Sequence, residues 1–385
     1  MRILKIGVIV ILLLNITGCW SSNVELDELT FVYGMFIDEG KEQGTIEITI
    51  NSPLPNRLNA AGQPSSGGGG DGKTYSTVSK TSGTIADAML LIQKDLTRKL
   101  SLAQLKVIVL GKTFAEQGIS ELLLWIEREP SLPLGAYVMA SPGSAKEMST
   151  LAPIYEQLPS DVLKNFGSER YLFSTTVKDC LFAEASGVGF AINNLSFGKK
   201  EEAASKDGKP EYWAGIQGAM LFQKDKMKGV LKLKEGRALA WAAGSLKLAV
   251  YSVDWDEGNG GASVIFVSTK SSKKLNQTDK GPVFTVNLKG KASVIYLRDP
   301  KNRDAEELGQ IIIAKLKEKV SDNLTEAIRN TQKAGADILQ LGLLLEWNDP
   351  KQWKQVRERW DNYYAQEADI KVKTDFSIVD FGTAK

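Results

Sequence analysis

Apolar and polar positions follow two periods in the first half of this chain, and the two interleave. Thr45 to Ile50 alternates with a period of two, and Phe31 to Ile37 is apolar and β-prone around Gly34. Asp38-Glu39-Gly40-Lys41 lies between them as a turn, which predicts a β-hairpin with one buried face. Thr74 to Lys80 resumes as a strand. Ile85, Met89, Ile92 and Leu96 then recur at helical spacing and predict a helix over Thr84 to Lys99. Leu105 to Leu110 is a short, nearly continuous apolar run, as in a strand covered on both faces. A second helix is expected from Phe114 to Glu129, ended by Pro130, and another strand from Ala136 to Ala140.

The second half reads differently. Lys199 to Lys209 is charged and small-residue-rich, as in a linker. Trp213 to Phe222 and Met227 to Leu233 predict two strands joined through Lys224-Asp225-Lys226. Glu235 to Ala243 then reads as a short helix carrying Trp241, and Leu246 to Val253 as a strand. So short a unit has a marginal core by itself and should pack on a neighbour. Ser263 to Ser268 and Val283 to Leu297 read as antiparallel strands. From Asp304, apolar residues recur every four positions: Leu308, Ile312, Leu316, Val320, Leu324, Ile328. Asp304 with Glu307 resembles a capping box. Ile338, Leu341 and Leu345 extend the stripe to Glu346, about 65 Å at 1.5 Å per residue, with Gly335 and Gly342 as points of interruption. Such a stripe faces the helix's own core. Pro350 to Tyr363 predicts a further helix with Trp353 and Trp360 on one face, and Ile370 to Val379 a closing strand.

The expected fold is therefore α+β in three mixed α/β domains. Residues 19–195 form the first, with a loop at 62–72 that is flexible by composition. Residues 196–258 form a small middle unit, and 259–385 a C-terminal domain of antiparallel strands, long helix and closing strand.

Residues 1–18 stand outside this scheme. Arg2 and Lys5 precede an apolar run from Ile6 to Leu14, too short for the about 20 residues that a bilayer demands. Ile16-Thr17-Gly18 then sets small residues before Cys19. That order is a secretory signal ending in a lipobox, with Cys19 as the lipid-bearing N-terminus of the mature chain. One acyl chain, palmitate for example, holds weakly, whereas a diacylglyceryl cysteine carries at least two and holds stably.

Composition narrows the chemistry. The chain has 48 basic and 46 acidic residues, and removing Arg2 and Lys5 levels them. Such a balance argues against nucleic-acid binding. It also predicts little electrostatic adhesion to anionic lipid, leaving attachment to the anchor. Of the 2 cysteines, an acylated Cys19 leaves Cys180 alone, a small buried hydrophobe within Val177 to Ala185. The chain has no histidine, which removes Ser-His-Asp and Cys-His catalysis and the commonest transition-metal ligand. Gly67 to Thr74 formally matches the phosphate loop G-x-x-x-x-G-K-[ST], with Lys73 in the lysine position. Its flanks reject it: Pro53, Pro55 and Pro64 precede it and β-prone Tyr75 to Ser79 follows, where the chemistry needs a buried strand and a helix start. Glu201-Glu202 and Glu306-Glu307 read as solvated pairs, not catalytic dyads. No zinc spacing, calcium loop or nucleophile elbow occurs, so neither metal nor cofactor is expected and the chain reads as no enzyme.

The order of the pieces resembles the C subunits of bacterial spore germinant receptors, the Ger(x)C lipoprotein family. The likeness begins at Gly18-Cys19-Trp20, continues through Glu25-Leu26, Gly34 and Asp38, and includes Arg98-Lys99-Leu100 before Leu105 to Val109. It extends through Gly218 to Phe222, Gln223, Lys224 and Asp225, then Trp241. Ala336-Asp337-Ile338, Gly342, Asn348-Asp349-Pro350, Trp353 and Trp360-Asp361 complete it. Two departures stand out. Ser21 to Val24 replaces a charged stretch, and Ala103-Gln104 occupies a region where the family often has a histidine. The resemblance implies a three-domain α+β protein, lipid-anchored on the outer face of the spore's inner membrane. It implies partnership with a membrane-embedded, transporter-like B subunit and a larger A subunit, sensing small germinants together. It leaves open whether this subunit touches the germinant. The competing reading is a lipid-anchored solute-binding protein feeding a transporter, which predicts two similar α/β lobes. A surface enzyme using carboxylates is a third, without a supporting constellation.

Overall fold

The computed structural model describes residues 25–54, 74–153, 155–199, 212–279 and 281–382. The lipobox Ile16 to Cys19, the loop at 62–72, the phosphate-loop match before Thr74 and most of the 199–209 linker lie outside them.

The hairpin read from the opening pattern forms: β2 (Gly34–Glu39) pairs antiparallel with β3 (Ile46–Pro53), after a three-residue β1 (Leu29–Phe31). β4 (Tyr75–Ser82) adds to β3. The helix α1 (Ile85–Lys94) is shorter than the apolar spacing suggests. Lys99–Ser101 leaves it as β5, parallel to β1. β6 (Val107–Leu110) is buried at every position, as its unbroken apolar run requires, between parallel neighbours β2 and β7 (Tyr137–Ala140). The helix expected from Phe114 to Glu129 is two, α2 (Lys112–Gln117) and α3 (Ser120–Glu127). Gly118 breaks it at φ +127°, freeing the Ile119 amide to donate to the Asp225 carbonyl at 2.8 Å. Helices α4 (Ala145–Met148), α5 (Pro159–Ser168) and α6 (Val177–Ser186) complete the covering.

β8 (Gly189–Lys199) joins β7, and the sheet does not stop there. β9 (Tyr212–Gln223) and β10 (Lys226–Lys232) continue it, giving eight strands in the order β10-β9-β8-β7-β6-β2-β3-β4. The sheet thus runs across residue 195, where the sequence pattern suggests a change of unit. The reason is pairing: β8 and β9 pair from Gly189↔Gln223 to Lys199↔Tyr212, across a one-residue slip between Asn194 and Leu195. At Gly218 a Cβ would lie 2.0 Å from the Leu231 carbonyl oxygen, so the β9–β10 approach depends on glycine there. Ile108 and Leu110 face one core with α1, α3 and α6, while Val107 and Val109 face another with α4 and α5.

Beyond β10, α7 (Leu233–Ala242) leads to β11 (Ala249–Trp255), β12 (Gly260–Thr278), β13 (Gly281–Arg298), α8 (Ala305–Lys333), α9 (Leu341–Asn348), α10 (Pro350–Val356), α11 (Trp360–Gln366) and β14 (Asp369–Asp380). The second sheet has the order β11-β12-β13-β14. β13 matches its expected strand closely, but β12 is far longer than its apolar pattern, because Thr269 to Thr278 carries mostly polar residues that no period marks as strand. The closing strand β14 lies parallel to β13, since the chain returns to it across the helices. Leu308, Ile312, Leu316, Val320, Leu324 and Ile328 of α8 are all buried against this sheet.

The long helix does not reach Glu346. Gly335 takes φ +63°, and the Ala336 amide donates back to the Thr331 carbonyl at 2.9 Å, closing α8 by a left-handed cap. Ile338, Leu341 and Leu345 remain in the core on the turn and on α9. The expected helix after Pro350 is likewise split into α10 and α11 by a 3₁₀ turn at Arg357–Arg359.

One core cluster joins the two sheets: Ala219, Leu221 and Leu231 of the first share it with α7, α8 and the second sheet. Trp241, 1% exposed, stands at its centre. Its ring lies 5.3 Å from Phe376 and 4.8 Å from Phe266, and its indole N–H donates to the Lys270 carbonyl at 3.1 Å. Trp241→Ala is expected to cost about 3–5 kcal/mol. Urea denaturation of the full chain measures it; an unchanged midpoint would refute the central place of this ring.

Candidate functional site

The residues singled out for chemistry are dispersed. Cys180 on α6 is buried, and burial, followed by the nearby Asp179 charge, pushes its thiol far above the ordinary value. It is a packing residue, not a reactive thiolate. Glu306 and Glu307 lie in the first turn of α8. Only half of the capping box forms there: Asp304 accepts from the Glu307 amide at 2.8 Å, while the Glu307 carboxylate turns to Arg303 at 3.2 Å. Glu201 and Glu202 lie outside the described residues, among which no group of acidic, cysteine or histidine side chains could hold a metal ion.

A different set converges. Asp337, Gly342, Trp353, Trp360 and Asp361 are separated in sequence but meet where α8 ends. Once Gly335 has closed α8, the chain turns and Asp337 is driven inside, 1% exposed. Its carboxylate accepts from the Leu341 amide at 2.9 Å, the Gly342 amide at 2.8 Å and the Trp360 indole N–H at 3.2 Å. Two of those donors are free amides of the first turn of α9, which a carboxylate satisfies well. Lys273 reaches in from β12 and donates to the Leu339 carbonyl at 2.8 Å. Burial raises the Asp337 carboxyl above its ordinary 3.8, opposed by the three hydrogen bonds and by Lys273. Burial also lowers the Lys273 ammonium, opposed by Asp337.

Trp360 closes this polar pocket. Its ring packs edge-on to Phe284 at 6.3 Å and to Trp353 at 5.3 Å, and stacks on Tyr363 at 5.5 Å. A Cβ at position 342 would fall 2.9 Å from the indole, so glycine there is a condition of the fit. Tyr364 and Thr331 share a buried hydroxyl contact of 2.7 Å, fixing α11 to α8.

Outside the Trp360 ring, a cleft of about 350 Å³ separates this cluster from the first sheet; Leu343, Trp353, Arg357 and Asp361 face Gly187 and Lys224 across it. Gln223, at the end of β9, donates to Asp361 at 2.7 Å and to the Gly187 carbonyl at 3.3 Å. Burial raises the Asp361 carboxyl, opposed by Lys224 and Lys228. The cleft offers cations, indoles and the carboxylates of Glu358 and Asp361.

A second buried carboxylate, Asp38, read from sequence as part of a turn and of the family likeness, organises the first sheet. Asp38 accepts from Ser144 Oγ at 2.9 Å and from the Ala145 and Lys146 amides at 2.7 and 2.8 Å. It caps α4 across more than a hundred residues of chain, a contact without local signal. Nothing in the local pattern marks Lys273 as half-buried either.

Two family profiles match consecutive parts of the chain. "Spore germination protein N-terminal domain" covers residues 22–187, and "Spore germination B3/GerAC like, C-terminal" covers 217–382. The chain is 24% identical over 396 residues to spore germination protein B3 of Bacillus subtilis (strain 168), covering 98% of each. It is 24% identical over 328 residues to the putative spore germination protein YfkR of the same organism, covering 84% of this chain and 82% of that one. Spore germination protein KC, also from Bacillus subtilis (strain 168), is 20% identical over 376 residues, covering 94% of this chain and 91% of that one. The solved structure titled "Crystal Structure of the GerBC protein" superposes with a TM-score of 0.57 at 19% identity, covering 93% of this chain and all of that one, a likeness of fold.

Removing the Trp360 ring leaves Asp337 a donor short and opens the aromatic cluster. Trp360→Ala is expected to cost about 3–5 kcal/mol. Thermal melting and limited proteolysis of the chain from Ser21 onward measure it, and wild-type resistance would make Trp360 a partner contact instead. The raised Asp337 carboxyl gives a pH test. The folded chain holds that proton more tightly than the unfolded chain, so stability falls as pH rises from 3.8 to the raised folded value. The melting-temperature difference between wild type and Asp337→Asn should therefore drift in favour of the variant across that window and level off above it. A difference flat from pH 4 upward would contradict the burial argument.

Proposed function

The chain belongs to the Ger(x)C family of spore germination proteins, and on that premise we propose that it is the lipid-anchored, non-catalytic C subunit of a spore germinant receptor. It acts with membrane-embedded A and B subunits in nutrient-triggered germination, from the outer face of the spore's inner membrane. The observation that carries this reading is the pair of consecutive germination-protein domains, 22–187 and 217–382, which together take in nearly all of the chain after Cys19. The site geometry agrees with a non-catalytic part: the converging residues build a buried joint and a contact cleft around Trp360. Attachment in this reading falls to Cys19, on the order of basic start, apolar run and small residues before it. Two acyl chains on that cysteine suffice for stable anchoring.

The solute-binding alternative expects two similar α/β lobes around a ligand. Here the first sheet has eight strands with a parallel centre, and the second has four strands packed on a long helix. The two share one apolar core through α7. Unequal, welded halves do not suit a lobe-closing binder.

Cys19→Ala is expected to abolish acylation and processing at the lipobox, so that the protein leaves the membrane fraction or persists as an uncleaved precursor. Fractionation of spore membranes with mass spectrometry of the N-terminal peptide reads this out. A processed, detergent-requiring product from the variant would defeat the anchor assignment. Affinity purification of the wild-type chain from spore inner membrane should bring down the A and B subunits.

A further inference from the structure

The near balance of 48 basic against 46 acidic residues conceals a segregation that only the second sheet exposes. On its outer face, four successive cross-strand rows follow from the register. Ser268 stands beside Lys291 and Ser377, Lys270 beside Lys289 and Asp375, Ser272 beside Asn287 and Lys373, and Lys274 beside Thr285 and Lys371. Lys270, Lys274, Lys289, Lys291, Lys371 and Lys373 are all exposed, and Asp375 is the one carboxylate in these rows. The alternate positions Val286, Leu288 and Phe376 point into the core. Two residues of strand advance about 6.6 Å, so the rows cover about 20 Å along the strands and about 10 Å across three of them.

The arrangement works against the sheet's own stability. Lys270 and Lys289 are direct partners in the β12–β13 ladder, where like charges repel. Asp375 offers relief to Lys289 alone, at 3.5 Å and well exposed. Lysines on an open edge guard against strand addition. That accounts for β14, but not for Lys289 and Lys291 on β13, which is flanked on both sides.

We propose that this face is an electrostatic docking surface for an anionic phospholipid bilayer. The inference rests on the membrane-anchored reading above and adds to it a second contact, which would orient the chain on the bilayer. An array of lysine point charges over an open sheet face suits a diffuse layer of phosphate headgroups. Arginine forks would mark bidentate recognition, and interleaved aromatics would mark stacked bases; the rows contain neither. Where the ladder slips, further along the same strands, Val267 and Ile295 are exposed and Tyr296 lies beside Ile295, an apolar and amphipathic border of the kind that settles at a headgroup boundary. The expectation that the anchor works without electrostatic help is thereby revised: charge that cancels over the sequence does not cancel over this face.

The test uses the chain from Trp20 onward, unacylated and keeping every described residue, with vesicles of phosphatidylcholine alone or mixed equally with phosphatidylglycerol. Sedimentation should show binding to the mixed vesicles only, weakening as salt is raised. Each neutralised lysine is expected to weaken binding about fivefold, so Lys270→Gln/Lys289→Gln/Lys373→Gln should lose about a hundredfold. The same variant should melt no lower than wild type, because a repelling pair has gone. Lys94→Gln/Lys164→Gln/Lys234→Gln changes net charge equally and should bind as wild type. Binding indifferent to phosphatidylglycerol, no binding at all, or equal losses in the two triple variants would each overturn the proposal. The assay contains no acylated cysteine, so it stands or falls separately from the Cys19 assignment.

Discussion

Burial of α7 between two sheets is the constraint on which the rest of this molecule depends. Gly236, Ala238, Ala240 and Ala242 keep the helix narrow, so that the β9–β10 hairpin can approach from one side and the long helix α8 from the other. Trp241 fills the space left toward the second sheet. Neither half can bury its share of this core alone. A hairpin of two strands and one short helix would be marginal in water. Merged into an eight-stranded sheet on one side and a helix-covered sheet on the other, it becomes the joint of the whole chain.

The polar interior follows from the same economy of space. Wherever a helix starts inside the protein, its first amides need acceptors, and a carboxylate supplies two at once. Asp337 does this for α9 and Asp38 for α4. In both, burial raises the carboxyl while the donated hydrogen bonds oppose it. Their partners are amides, a hydroxyl and an indole held in place, so the perturbation here accompanies the construction of two helix starts. What the structure presents outward is accordingly a set of surfaces: a cleft with cations and indoles around Trp353, and a lysine-covered sheet face.

How much was legible in the sequence depended on which period each segment obeyed. The first hairpin, the buried strand Val107–Leu110 and the α8 stripe follow clear alternation or fourfold spacing, and each forms. Thr269 to Thr278 obeys neither period, so the second half of β12, with Lys270 and Lys274, was not read as strand, and the lysine face that it completes stayed hidden. The helix break at Gly335 was read as a point of interruption, whereas that at Gly118 was not read at all. Whether a glycine bends, caps or merely sits in a helix is decided by what the freed backbone groups can reach, here the Asp225 and Thr331 carbonyls. Asp337, Gly342, Trp353, Trp360 and Asp361 were each marked by resemblance, but their meeting around one indole was not.

By itself the sequence determined what local chemistry decides: the lack of histidine, the α+β alternation and the apolar stripe that α8 buries. Each is a property of neighbours along the chain, where spacing and residue type act directly. The tertiary structure alone decided which strands share a sheet across residue 195, which carboxylates go inside, and where charges gather. Those outcomes depend on groups far apart in sequence whose backbone partners become available only after packing. A balanced composition therefore says nothing about a face, since strand register, not the count of lysines, sets them side by side.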